Sequence, residues 1–395
     1  MDVTPGIRRD PAPDLDAVGE DEALVARIHA EIERDGPMTF ARFMDLALYD
    51  PDGGYYRAAA ARPGREGDFL TAPEAHPIFG AAIGRLVEQA WEALGRPEPF
   101  IVTEHGAGTG ALAAGLLGGL RRTASPLFPS VRYHAIDVEP ARLDALRARL
   151  DADGLSDRLV DAPGQAGAVV ANEVIDALPV HRVVGRGAGL QELLVTAGAD
   201  GTLAWHEAEP TTPALADRLA AEGVELAEGQ VTEVCLGIGD WLAGAARDLV
   251  RGVVVLVDYA QEPAELHGPA HPAGTLRAFA RHAVGSDPFR HVGRQDLTAT
   301  VDLAAVRAGA SRAGLEVLGE TTQAELLASV GTPDLTDAYL HAPGATLQDA
   351  LDLRSALARL MDPRGMGGFR VLAFGRGIPA RAGLPALRRL RPPGA

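Results

Sequence analysis

The stretch PFIVTEHGAGTG, residues 99–110, decides the fold. Its first half, through Glu104, is a short apolar run of the kind that forms a buried strand. Its second half places Gly106, Gly108 and Gly110 at a spacing of two. Glycine at such positions permits a tight turn and lets a ligand approach the backbone. Residues 111–122, ALAAGLLGGLRR, then read as a helix whose first N–H groups are free to meet that ligand.

The alternation continues downstream. YHAID (133–137), AVVAN (168–172) and GVVVLVD (252–258) read as strands, the last a continuous apolar run suited to burial on both faces. Pro140 to Leu150 reads as a helix with proline in its first turn, where the missing N–H is harmless. Leu315 to Gly319 and Phe369 to Phe374 close the series. Strands alternating with helices predict an α/β fold with a doubly wound, mostly parallel, Rossmann-like sheet.

Upstream, DEALVARIHAEIERD (21–35) has apolar residues at helical spacing; further helices run from about Thr39 to Leu48 and from about Pro77 to Leu94. Between these two lies a long irregular segment, 49–69, of the kind that usually carries function. Residues 180–250 interrupt the alternation with a hairpin, Gln191 to Val195 and Thr202 to His206, joined by GADG at 198–201. The expected organisation is an arm at 1–20, an N-terminal helical region with a loop over the ligand site at 21–98, and a cofactor-binding half of the core at 99–179. An inserted hairpin and helix region at 180–250, the rest of the core with an acceptor-side insertion at 251–375, and a loose tail at 376–395 complete it.

Composition limits the chemistry. The formal charge of −17 repels phosphates, which disfavours nucleic acid and suits a cationic partner such as an Arg-rich or Lys-rich segment. All 37 basic residues are arginine, so no lysine can form a Schiff base or serve a P-loop. Cys235 is the sole cysteine, which excludes an internal disulfide and a multi-cysteine zinc site. No apolar run is long enough for a membrane helix, and the first residues lack the order of a signal peptide. The expectation is a cytoplasmic protein with no membrane partner; oligomeric state is not legible.

Three groups of residues carry chemistry. The glycine turn fits GxGxxA and so suits a dinucleotide, yet Glu104, two positions before Gly106, would lie near a phosphate there; it suits the ammonium of an amino-acid group instead. Asp137 ends the next strand, where a carboxylate can accept both ribose hydroxyls of an adenosine ligand. NEVIDALPVH (172–181) ends a third strand on the ligand edge of the sheet. There Glu173 or Asp176 can align a guanidinium through parallel hydrogen bonds or act as a general base. Asn172 and Asp176 also suit helix capping, and His181 is either structural or catalytic.

These residues sit within a larger set that resembles the MidA-type class I methyltransferases. GGYY (53–56) after YDP (49–51), GDFLTAPE (67–74) with IFG (78–80), EHGAGTG (104–110) and NEVIDALPV (172–180) are similar to that family's blocks. So are VDY (257–259), GTL (274–276), DLT (296–298) and VD (301–302), all in order. The resemblance implies a seven-stranded methyltransferase sheet with an inserted cover and S-adenosyl-L-methionine as cofactor. It also implies that residues 67–80 fold over the cofactor, with Thr71, Pro73 and Glu74 lining its pocket beside Glu104, Gly106, Gly108, Gly110 and Asp137. The family's mitochondrial members are complex I assembly factors that dimethylate an arginine of a complex I subunit. The implied activity is therefore N-methylation of an arginine in a protein partner by Asn172, Glu173, Asp176 and His181, with no metal required. Three positions depart from the pattern: Ala260 replaces a glycine, Thr300 a histidine, and His105 an apolar residue. The first two fall in the acceptor region and keep open a small-molecule O or N acceptor. A non-catalytic assembly factor retaining the fold and a nicotinamide dehydrogenase are the remaining readings. Intact Glu104 and Asp137 oppose the former; Glu104 and the absence of lysine oppose the latter.

Overall fold

The computed structural model describes residues 18–57, 70–187, 189–281, 283–378 and 384–387. Six strands make the central sheet: β1 (Phe100–His105), β2 (Val131–Ile136), β3 (Ala166–Asn172), β4 (Arg251–Asp258), β5 (Glu316–Thr322) and β6 (Arg370–Arg376). Their spatial order is β5-β6-β4-β3-β1-β2. The four strands β4, β3, β1 and β2 are parallel, while β6 runs antiparallel to both β4 and β5. A mostly parallel, Rossmann-like α/β sheet is therefore present, with the carboxyl ends of β1, β3 and β4 side by side.

The expected seventh strand is absent among the described residues. At the β2 edge the chain makes a single parallel bridge, Tyr133 to Leu159, after a short 3₁₀ turn at Ser156–Arg158. That segment has no apolar alternation to bury a face, so pairing stops after one residue.

Helices cover both faces. On one side Ile78–Ala93 packs against Ala111–Arg122 and the core formed with β1, β3 and β4. The approach is close: a Cβ on Gly119 would stand 2.4 Å from the Cβ of Ala81, so only glycine lets these two helices meet there. On the other side Ile238–Ala245 and Leu303–Arg312 pack on Val254, Leu256 and Phe374. Buried apolar rows on both faces explain the near-continuous Val run of β4.

A second, antiparallel sheet joins Met38–Thr39, Gly189–Ala197, His181–Arg186 and Val231–Val234, with Leu203–Ala208 paired to the second of these. The hairpin has Val195 opposite Trp205, and its turn is closed by a bond from Gly198 N to Thr202 O of 2.6 Å. Its core includes Phe40, Phe43 and Leu24 from the N-terminal helices Glu22–Asp35 and Phe40–Tyr49. These helices begin where Asp21 and Thr39 cap them through the amides of Leu24 and Arg42.

Several expectations fall partly outside the described residues: most of the arm at 1–20, the loop from 58 to 69 with Gly67, and much of the tail. The tail is not uniformly loose. Ala386 and Leu387 are buried, and Ala386 N donates to Gln89 Oε1 at 2.9 Å. Among the described residues no helix is long and apolar enough to cross a membrane.

Candidate active site

The glycine turn leaves β1 at the sheet's carboxyl edge. Gly106, Gly108 and Gly110 all have left-handed backbone, with φ of 69°, 51° and 82°. A Cβ on Gly106 would press on Val174 Cγ2 at 2.8 Å, whereas one on Gly108 would meet no described residue within 4 Å. The turn is thus packed on one side and open on the other. The helix Ala111–Arg122 starts from Gly110 with no side-chain cap.

Two acids flank the turn. Glu104 is buried and its Oε2 accepts the hydroxyl of Tyr133 at 2.7 Å. Burial pushes its carboxyl up to about 8 against the opposing pull of that hydroxyl. Asp137, just beyond β2, accepts the amide of Gly108 at 2.9 Å on Oδ2 and that of Glu139 at 3.0 Å on Oδ1. Arg142 lies 3.6 Å from Asp137 and 5.6 Å above the ring of Tyr56.

The short helix Ala72–Ala75 spans from the turn to the end of β3. Thr109 Oγ1 donates to Glu74 Oε1 at 3.1 Å, and Arg149 stands 3.7 Å from the same oxygen. At the other end the amide of Ala72 points to Glu173 Oε1 at 3.4 Å. Pro73 is buried within the helix; Thr71 sits at its N-cap position without a capping bond.

Past β3, Glu173 is held at φ 52°, an uncommon conformation for a non-glycine residue. Its amide donates to Val257 O at 2.8 Å, and its carboxylate accepts Asn172 Nδ2 at 2.9 Å. Asp176 accepts a short hydrogen bond from the hydroxyl of Tyr259. Asp258, at the end of β4, accepts the amides of Ile175, Asp176 and Tyr259 at 3.1, 3.3 and 2.9 Å. Burial, reinforced by Asp176, pushes Glu173 up to about 8; burial also raises Asp176 to about 6 and Asp258 well above the usual carboxylate range. Among the described residues, no arginine or histidine pairs with any of the three. Asn172 Oδ1 and Asp176 Oδ1 are buried without a partner. Hydrogen-bond capacity here is left unsatisfied.

The structure brings Asn172, Glu173 and Asp176 together beside the glycine turn. It sets His181 on another surface: the residue opens a strand of the second sheet, and its Nδ1 faces the buried Glu192 at 2.7 Å. Sequence reasoning missed Asp258 and Tyr259 as members of the acid group. The signal was available, since an acid ending the most apolar strand arrives at the same sheet edge as Glu173. It also missed the reach of the tyrosines: Tyr49 donates to Ala177 O at 3.0 Å and Tyr56 to Asp296 at 2.8 Å.

The chain is similar to known methyltransferases. A family described as S-adenosyl-L-methionine-dependent methyltransferase matches residues 82–321. A Burkholderia thailandensis protein crystallised with S-adenosyl-homocysteine is 35% identical; the match covers 96% of this chain and 98% of that one, with a TM-score of 0.83. The Drosophila melanogaster protein named Protein arginine methyltransferase NDUFAF7 homolog, mitochondrial, is 29% identical over 388 residues, 90% of this chain and 85% of the relative. The human Protein arginine methyltransferase NDUFAF7, mitochondrial, is 26% identical over 376 residues, 87% and 81% of the two.

Proposed function

This chain belongs to the MidA-like family of S-adenosyl-L-methionine-dependent methyltransferases, and from that premise we propose that it methylates an arginine nitrogen in a protein partner. The observation that carries the reading is the group of the buried Asp176 and Asp258 with the half-buried Glu173, three carboxyls with no cation beside them among the described residues. A guanidinium is a planar cation that pairs with carboxylates bidentately, so it supplies both the charge and the donors this group lacks. The names of the relatives point to the same substrate class.

The open face of the glycine turn fits the cofactor, since among the described residues a Cβ on Gly108 would meet nothing within 4 Å. Asp137 would hold the ribose, Glu104 the amino-acid end, and Thr71, Pro73 and Glu74 the near wall. Bound S-adenosyl-L-methionine supplies an electrophilic methyl group on a sulfonium. The residues of the chain orient the acceptor and exclude water. Glu173 aligns the guanidinium, with Asn172 Nδ2 and the amide of Ala72 fixing its carboxylate. Asp176, steadied by Tyr259, offers the second carboxylate. Glu173 then takes the proton that the methylated nitrogen releases, a role its raised carboxyl suits near neutral pH. His181 contributes to the second sheet through Glu192 rather than to the reaction.

The test is incubation of the purified chain with methyl-labelled cofactor and a lysate. Label recovered as methylarginine from a protein band supports the reading. Label confined to small metabolites, the alternative that Ala260 and Thr300 motivate, overturns it.

A further inference from the structure

A second group of titratable side chains gathers away from the loop acids, from three distant segments. Glu222 closes the helix Ala214–Ala221, His267 closes Pro263–Leu266, and Asp302 caps the start of Leu303–Arg312. One ligand atom from each lies within 4.8 Å of the others. The side chains of Glu222 and His267 are only 6% and 3% exposed.

Each residue is already anchored by another of its contacts. His267 Nδ1 meets Thr232 Oγ1 at 2.7 Å. Glu222 Oε1 faces Arg218 at 3.7 Å. Asp302 Oδ1 accepts the amides of Ala304 and Ala305 at 2.8 and 3.2 Å. What remains converges: His267 Nε2 and Glu222 Oε2 are 3.6 Å apart, too far for a hydrogen bond, and neither has a hydrogen-bond partner among the described residues. A histidine whose Nδ1 is fixed by a polar neighbour and whose Nε2 is left bare is oriented as a metal-binding histidine is. The spacing suits an ion, because ligand atoms about 2.1 Å from zinc stand roughly 3.4 Å apart around a tetrahedron. The charge suits one too: the carboxyls of the half-buried residues Glu222 and Asp302 crowd each other against the single guanidinium of Arg218, and a dication offsets them. Glu222, His267 and Asp302 also line one cavity together with Arg218, Cys235 and Thr300.

We propose that Glu222, His267 and Asp302 form a site for a divalent cation, with Zn²⁺ the ion that one imidazole and two carboxylates best fit. The ion is structural, not catalytic. It ties the helix of the 180–250 region and the segment after β4 to the core helix that follows Val301–Asp302. That strand pairs in parallel with Ala260–Gln261, immediately after Tyr259, so the tie braces the wall that holds Asp176.

The full-length chain, stripped with chelator, is titrated with Zn²⁺ by calorimetry and, separately, with Co²⁺ by visible absorption. The expected result is one equivalent of Zn²⁺ bound, a Co²⁺ band displaced by Zn²⁺, and a raised melting temperature. His267→Gln and Asp302→Asn, the latter keeping the helix cap, abolish all three while circular dichroism stays unchanged. Thr232→Val, which frees the imidazole to rotate, weakens binding by about 10-fold. His341→Ala, on an exposed histidine elsewhere, leaves binding intact. No stoichiometric Zn²⁺ uptake by the native chain overturns the proposal, as does uptake that survives both His267→Gln and Asp302→Asn.

Discussion

The hydroxyl of Tyr133 donates to Glu104 across 2.7 Å inside the sheet, where β2 runs beside β1 and neither side chain meets solvent. The bond is the means by which a carboxyl can be kept at the root of the cofactor turn. Tyr133→Phe removes it and leaves an acid oxygen short of a partner. The expected loss is about 1–3 kcal/mol of folding stability, measured by urea denaturation. The loss is greater at pH 9 than at pH 6, because removing the hydroxyl raises the cost of the ionised form. A loss independent of pH would mean that the tyrosine contributes by packing alone.

Stability of the whole chain falls as the solution becomes alkaline. Glu104 and Glu173 have folded-state carboxyls near 8, above the 4.5 of an unfolded chain. A group raised in this way stabilises fully below its unfolded value, and the benefit is lost as pH rises through its folded value. The window is thus from about 4.5 to about 8. Each pH unit there costs up to about 1.4 kcal/mol per group. Unfolding free energies across the window should show the decline, and Glu173→Gln should flatten part of it. A flat profile in the native chain would remove the raised carboxyls from the account.

Turnover carries the same signature with opposite sign. Glu173 must be ionised to hold a guanidinium, so kcat/KM of the native enzyme rises with pH toward about 8 and levels above it. Glu173→Gln lowers kcat by roughly 10²–10⁴-fold while S-adenosyl-homocysteine binds within a few-fold of native, as calorimetry reads. Comparable turnover in the variant would take Glu173 out of the reaction.

The two sides of the glycine turn respond differently to a methyl group. Gly106→Ala places a Cβ 2.8 Å from Val174 Cγ2 and strains φ, so it lowers the melting temperature and disturbs the neighbouring loop. Gly108→Ala projects its methyl into open space, with a stability cost of about 1 kcal/mol from φ alone. It should nevertheless reduce cofactor affinity. Native affinity in Gly108→Ala would place the cofactor elsewhere than over that residue.

Much of this was readable from residue order because it depends on local pattern. The β1–turn–helix unit, the hairpin through Val195 and Trp205, and the capped helices at Asp21 and Thr39 each follow from a few adjacent residues. What residue order did not show is non-local. A seventh strand was expected from the family resemblance, but the Leu159 segment lacks apolar alternation and stops at one bridge. His181 follows the acids closely in sequence, yet the chain leaves the central sheet there and the ring faces Glu192. Asp258 and Tyr259 join Asp176 from 82 and 83 positions away, and Glu222, His267 and Asp302 share no short spacing at all. Only the fold could assemble them.

The four-residue helix Ala72–Ala75 touches both halves of the site, through Glu74 to Thr109 and through the amide of Ala72 to Glu173. On the proposed function, one lever rests on both ligands' seats. Any free energy that cofactor occupancy spends or releases in shifting it would then be felt by an incoming guanidinium, and the acceptor would return the same amount to the cofactor. Under that reading, each affinity is to be measured with the other ligand's concentration stated.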